Sequence, residues 1–392
     1  MSLPTPSADA QEVSHALSAR IAERITAAGG WLAFADFMDM ALHLPGLGYY
    51  AGGSLKFGAA GDFVTAPELT PLFGQTLARQ IADILAALHM DSVSSASTFQ
   101  VSLIEVGAGS GKLAADLLLA LESLDALPAG YGILELSGEL RARQQQTIRE
   151  LAPQLVDRVV WLDVLPEEFV GVVVANELLD ALPTHAVAWR EGGLMERGVE
   201  LQGQRFAWAE RPAPAALAAA MAVLPVESSY ESEISLATRA WVAEWASRLK
   251  QGALLLIDYG LPRHELYHPH RNGGTLRCHY RQRTHENPFW WPGLSDITSH
   301  VDFTAVAEAG FDAGLNVMGY ISQAGLLINC GIGDLLAERQ QAGGEQAVRA
   351  SGAVQVLLAP GEMGELFKVI ALGRGLDMSL RGFLRGDRRH AL

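Results

Sequence analysis

Cysteine is scarce in this sequence of 392 residues: only Cys278 and Cys330 occur, far apart. That excludes a disulfide framework and a Cys-x-x-Cys zinc site, and it suits a reducing compartment. No uninterrupted apolar run reaches the roughly 20 residues that a membrane-spanning helix requires. Basic charge is short as well, with 29 Lys and Arg against 44 Asp and Glu and a formal net charge of −15. A duplex nucleic-acid partner is thereby disfavoured, because such binders neutralise phosphates with a basic face. The run Arg381, Arg385, Arg388 and Arg389 is a local exception that reads as a solvated tail. The first residues include Pro4, Ser7, Asp9 and Gln11 and show no apolar signal core, so a cytoplasmic location is expected. What is plentiful is apolar surface. Hydrophobic residues make up 49% and charged residues 19%, enough for a large core and too apolar for global disorder.

Along the chain, Val13, Leu17, Ile21 and Ile25 recur every four residues as one helical stripe closed by Gly29-Gly30. A second helix is expected around Phe34, Phe37, Met38 and Leu42, broken at Leu44-Pro45-Gly46. Residues 46–70 read as a long ordered loop of the kind that tends to be functional. Alternation follows. Helices are expected over 72–88, 112–121 and 139–151, and strands over 101–106, 133–136, 159–162, 170–175 and 253–258. Short apolar runs separated by helical patterns predict a doubly wound α/β fold whose mostly parallel sheet is covered on both faces. Residues 189–208 read as an inserted hairpin turning at Gly192-Gly193 and Gly203, and residues 260–299 as irregular. A helix over 303–309 and strands over 317–321 and 366–372 close the pattern.

The sharpest local signal is Ile104-Glu105-Val106-Gly107-Ala108-Gly109-Ser110-Gly111-Lys112, at a strand end. Glycines there allow a tight turn and close backbone approach to a ligand, and the next helix offers free N–H groups. A Walker A loop would need Gly at Val106 and Ser or Thr at Leu113, and a dinucleotide fingerprint would need Gly at Lys112. The compact spacing with Glu105 two residues ahead fits an S-adenosylmethionine loop best. Glu105, Gly107, Ala108, Gly109 and Gly111 are therefore cofactor candidates. Glu135, with Leu136 beside it, stands where a carboxylate can accept the ribose hydroxyls, and Asp163 where one could meet the adenine amino group. Asn176 and Glu177, after the fourth strand, face the cofactor's amino-acid end or the acceptor, with helix capping as their plain alternative. No Asn-Pro-Pro-aromatic motif for planar base amines follows.

Several further segments carry a resemblance. They are Phe37-Met38, Ala41-Leu42, Pro45-Gly46-Leu47-Gly48-Tyr49-Tyr50, Gly61-Asp62-Phe63-Val64-Thr65-Ala66-Pro67-Glu68 and Phe73-Gly74. Asn176-Glu177-Leu178-Leu179-Asp180-Ala181-Leu182-Pro183, Ile257-Asp258-Tyr259-Gly260, Gly273-Gly274-Thr275-Leu276-Arg277 and His300-Val301-Asp302-Phe303 complete the set. From residue 21 to 372 the chain resembles the MidA-like methyltransferases, whose mitochondrial members act as assembly factors of respiratory complex I. At His43-Leu44 it departs from the family's Tyr-His pair.

The resemblance implies a Rossmann-like class I methyltransferase with a helical N-terminal extension and inserted lid segments. Residues 1–70 would form the extension and active-site loop, and residues 71–392 the catalytic domain with insertions at about 189–235 and 260–300. It implies an S-adenosyl-L-methionine-dependent arginine methylation of a protein, with a subunit of the respiratory NADH dehydrogenase as acceptor; the residue spacing itself gives no metal site. A guanidinium has a pKa above about 12 and needs carboxylates to orient it and take its charge. Glu177 and Glu68 are the first candidates and Asp258 and Asp302 the second, while Asp62, Thr65, Asp180 and His300 are assigned to the substrate. The His- and aromatic-rich residues 260–299 match no zinc spacing and are expected to cover the site and meet a protein partner. A homodimer is an allowed state. A small-molecule O- or N-methyltransferase and an assembly factor without turnover are the alternatives.

Overall fold

The apolar runs become strands of a single mixed sheet, numbered here in chain order: β1 (Leu103–Val106), β2 (Tyr131–Leu134), β3 (Val159–Leu162), β4 (Phe169–Asn176), β5 (Leu249–Leu261), β6 (Asn316–Ser322) and β7 (Phe367–Arg374). The computed structural model describes residues 3–51, 65–89, 101–226 and 229–392. Strand order is β3-β2-β1-β4-β5-β7-β6. β1 to β5 run parallel, and β7 is antiparallel to both β5 and β6. Val172, Val173 and Val174 of β4 and Leu254, Leu255 and Leu256 of β5 are fully buried. Only strands covered on both faces need such unbroken apolar runs. Helices Pro71–His89 and Lys112–Ser123 supply one layer, burying Leu77, Ile81, Leu113, Leu117 and Leu121 in the same core as Val172 and Val174. This is the doubly wound Rossmann-like arrangement, with strand order reversing between β1 and β4.

The chain divides into two compact units. Residues 64–178, 242–260 and 303–392 form the parallel-sheet unit, and residues 1–63, 179–241 and 261–302 form the other. The N-terminal segment and the inserted segments thus belong to one unit. Their apolar faces explain this: Leu17, Ile21, Phe34, Phe37 and Met38 of the N-terminal helices share a core with Ala186, Val199, Cys278 and Ile297.

In that unit the insertion is a meander, where a single hairpin was expected. Strand His185–Arg190 is followed by Gly193–Gln202 and Arg205–Pro212, because both glycine sites turn the chain. Gly193 has φ 122° and Gly203 φ 65°. Strands Leu32–Ala33 and Tyr230–Ile234 extend this antiparallel sheet. Residues 260–299, expected to be irregular, carry a second antiparallel sheet of Arg277–Tyr280, Arg283–His285 and Asp296–Thr298. Strands of three or four residues leave too little alternation to be read from sequence. No helix among the described residues is long and apolar enough to cross a membrane.

Candidate cofactor and active site

Register brings the expected residues together. Val106 pairs with Leu134 and Ala175, and Leu134 pairs with Leu162. The next residues, Gly107, Glu135 and Asp163, therefore leave the sheet at one level, where Asn176 ends β4 still paired with Ile257. β2 ends at Leu134, so Glu135 and Leu136 lie just beyond it instead of within it. In open α/β sheets this edge, at the reversal of strand order, is where ligands bind.

The loop after β1 requires its glycines. Gly107, Gly109 and Gly111 have φ of 70°, 52° and 83°, a left-handed backbone that side chains resist. Gly111 caps the Lys112–Ser123 helix, and its N–H donates to the Ala108 carbonyl at 2.8 Å. The Ser110 hydroxyl donates to Glu68, which ties the short Ala66–Leu69 helix to the loop. Thr65 is that helix's N-cap, its carbonyl accepting from the Glu68 N–H at 3.0 Å. Lys112 pairs with buried Asp116, whose carboxyl is raised by burial against the lowering effect of Lys112.

Glu105 is buried within β1 and accepts a hydrogen bond from the Tyr131 hydroxyl at 2.6 Å. Burial pushes its carboxyl up to about 7, with the Tyr131 bond pulling the other way. Glu135 is also buried and raised by burial, while the Ser137 N–H at 2.9 Å and the Gln144 amide at 3.0 Å favour its charge. Leu136 is 87% exposed, an apolar side chain held in solvent beside that acid. Asp163 is engaged by Arg141 at 2.6 Å, and Arg141 also grips the carbonyls of Glu135 and Leu162.

At the end of β4, Asn176 Nδ2 donates to Glu177 Oε1 at 3.0 Å. Its Oδ1 is buried with no hydrogen-bond partner among the described residues. A buried orphan acceptor is costly, and an ammonium group is the kind of donor that would satisfy it. Glu177 has φ 52°, an uncommon conformation for a side-chain-bearing residue. Its N–H donates to the Ile257 carbonyl at 2.9 Å, and its Oε1 accepts from the Ala66 N–H at 3.4 Å. Asp258, fully buried, accepts from the N–H groups of Leu178 at 3.1 Å and Tyr259 at 2.9 Å. Those bonds make it a brace for the turn that carries Glu177.

Three of the expected residues belong to the other unit. Asp180 is buried, its carbonyl accepting from the Ser299 N–H at 3.0 Å. His300 donates its N–H to Thr275 Oγ1 at 3.0 Å, and Asp302 pairs with Arg263 at 3.3 Å. Asp62 lies outside the described residues. Sequence reasoning passed over Gln144, Trp161, Arg141 and Tyr131. Gln144 did leave a signal, being a polar residue on the buried stripe Leu140, Gln144, Ile148.

The residues present fit an S-adenosyl group: left-handed glycines open the backbone, Glu135 suits a ribose, and Asn176 Oδ1 lacks a donor. Comparison with known proteins agrees. A sequence profile of S-adenosyl-L-methionine-dependent methyltransferases matches residues 76–321. A Burkholderia thailandensis protein crystallised with S-adenosyl-homocysteine is 49% identical, with a TM-score of 0.94 and 100% of both chains covered. The protein arginine methyltransferase NDUFAF7 of Danio rerio, mitochondrial, is 28% identical over 93% of this chain and 89% of its own length. Its Drosophila melanogaster homolog is 28% identical, covering 95% and 88%. The cofactor is S-adenosyl-L-methionine, and the chain belongs to the MidA-like family of S-adenosyl-L-methionine-dependent methyltransferases.

Proposed function

We propose that this enzyme methylates an arginine side chain of a protein, with a subunit of the respiratory NADH dehydrogenase as the acceptor that the family likeness favours. The relatives named as protein arginine methyltransferases match nearly the whole chain, at 28% identity. The observation that carries the reading is Glu177, a carboxylate leaving β4 at the reversal of strand order, in a left-handed backbone conformation. Bound S-adenosyl-L-methionine supplies an electrophilic methyl group whose leaving thioether needs no proton. The remaining work falls to the protein: to orient a guanidinium and to accept the proton it gives up. Glu177 is suited to both, because Asn176 and the Ala66 N–H orient its carboxylate at the end of β4. Glu68 supports the same end of the sheet through Ser110.

Incubating the protein with methyl-labelled cofactor and a lysate lacking the enzyme tests this. The expected result is label in a discrete polypeptide that yields methylarginine on acid hydrolysis. Label confined to low-mass material would instead establish a small-molecule acceptor, and no label at all would leave a cofactor-binding assembly factor.

A further inference from the structure

Gln144 is fully buried on the Gly138–Leu151 helix. The sense of its amide is determined by chemistry. An indole N–H can only donate, so the 3.0 Å contact from Trp161 Nε1 marks the amide oxygen. The amide nitrogen then faces the Gly109 carbonyl at 3.2 Å and Glu135 Oε2 at 3.0 Å, one acceptor for each hydrogen. The helix backbone at this position packs directly on the loop, since a Cβ on Gly111 would stand 2.9 Å from the Gln144 Cα. One side chain therefore links β3, the carboxylate suited to ribose and the glycine loop. Such a fully satisfied buried network fixes a single geometry, and removing its centre leaves several polar groups unmatched.

We propose that Gln144 is a positioning residue for the nucleoside half of the cofactor: by holding Glu135 and the Gly109 carbonyl in one frame, it sets affinity for the adenosine moiety independently of methyl transfer. Two variants of the full-length protein test this by calorimetric titration of S-adenosyl-homocysteine and, separately, adenosine. Gln144→Met keeps the volume and removes every bond. Gln144→Glu keeps the acceptor for Trp161 but sets a carboxylate against Glu135. Either change raises Kd for both ligands by about tenfold at pH 7.5, while kcat at saturating cofactor stays within about twofold. In Gln144→Glu the deficit shrinks as pH is lowered to 6, because one proton shared by the two carboxyls restores a donor. Arg141 and Glu105, the ionisable neighbours of Glu135, are present in all three proteins, and the pH dependence of the wild type and of Gln144→Met between 6 and 7.5 reports their own effect. If Gln144→Met does not fold, Gln144→Glu alone decides. Unchanged Kd in a folded variant, a loss confined to kcat, or a pH-independent deficit in Gln144→Glu would overturn the proposal.

Discussion

Glu135 of the parallel-sheet unit and a set of paired acids in the antiparallel unit are held in different ways. In the antiparallel unit, Glu196 meets His185 at 2.6 Å, Asp302 meets Arg263, and Glu210 and Glu231 share Arg190 and Arg197. Each of these carboxylates sits against a basic side chain, whereas Glu233 of the same unit is held by the N–H and hydroxyl of Thr275. In the parallel-sheet unit, Glu135 draws its bonds from the backbone N–H groups of Ser137 and Leu136 and the Gln144 amide, all neutral donors. An acid held by neutral donors keeps its negative charge available, whereas one locked to a cation has spent it. At the strand ends, as for Glu135, the first arrangement suits a group that must meet ribose hydroxyls, while fully buried Asp258 shows neutral donors serving a brace as well.

Breaking the acids at the strand ends should therefore hit function, while breaking the closed pairs, or the acid Glu105 buried inside β1, should hit stability. The largest effect is expected for Glu177→Gln: turnover falls by about 100-fold or more, while Kd for S-adenosyl-homocysteine changes by less than about threefold. Methyl incorporation and calorimetry read the two halves. Next is Glu105→Gln. Because burial raises this acid from 4.5 to about 7, the folded state binds its proton more tightly than the unfolded chain. Wild-type stability from this group is full below pH 4.5 and is lost as pH rises to about 7. Urea unfolding at pH 5 and pH 8 should show the variant avoiding most of that loss, on the order of 3 kcal/mol. A smaller effect follows from His185→Phe, which strands the buried Glu196 carboxylate. Unfolding free energy should drop by about 2 kcal/mol with cofactor affinity unchanged. Smallest is Leu136→Ala: its exposed side chain contributes nothing to the core, so the melting temperature stays put while Kd for adenosine rises about threefold.

The parallel strands were legible because burial on both faces leaves continuous apolar runs such as Val172-Val173-Val174. The loop of Gly107, Gly109 and Gly111 was legible because a left-handed backbone excludes nearly every other residue. Other features depend on which side chains meet across the fold, and no local pattern encodes that. Asp163, read as meeting adenine, is paired with Arg141 twenty-two positions away in sequence. Asp258, read as a reserve catalytic acid, braces the turn after Asn176 through two backbone N–H groups. The union of the N-terminal helices with strands Gly193–Gln202 and Arg277–Tyr280 is likewise tertiary, carried by Phe34, Phe37, Val199 and Cys278. Gln144 lay between: a polar residue at core spacing announces a buried partner without saying which.

A structure of this protein with S-adenosyl-homocysteine bound is the most direct trial of the account. The ribose hydroxyls should lie within hydrogen-bond distance of Glu135, with the amino group of the tail at Asn176 Oδ1. A nucleoside seated elsewhere, with Glu135 making the same protein bonds as before and none to the ribose, would contradict it.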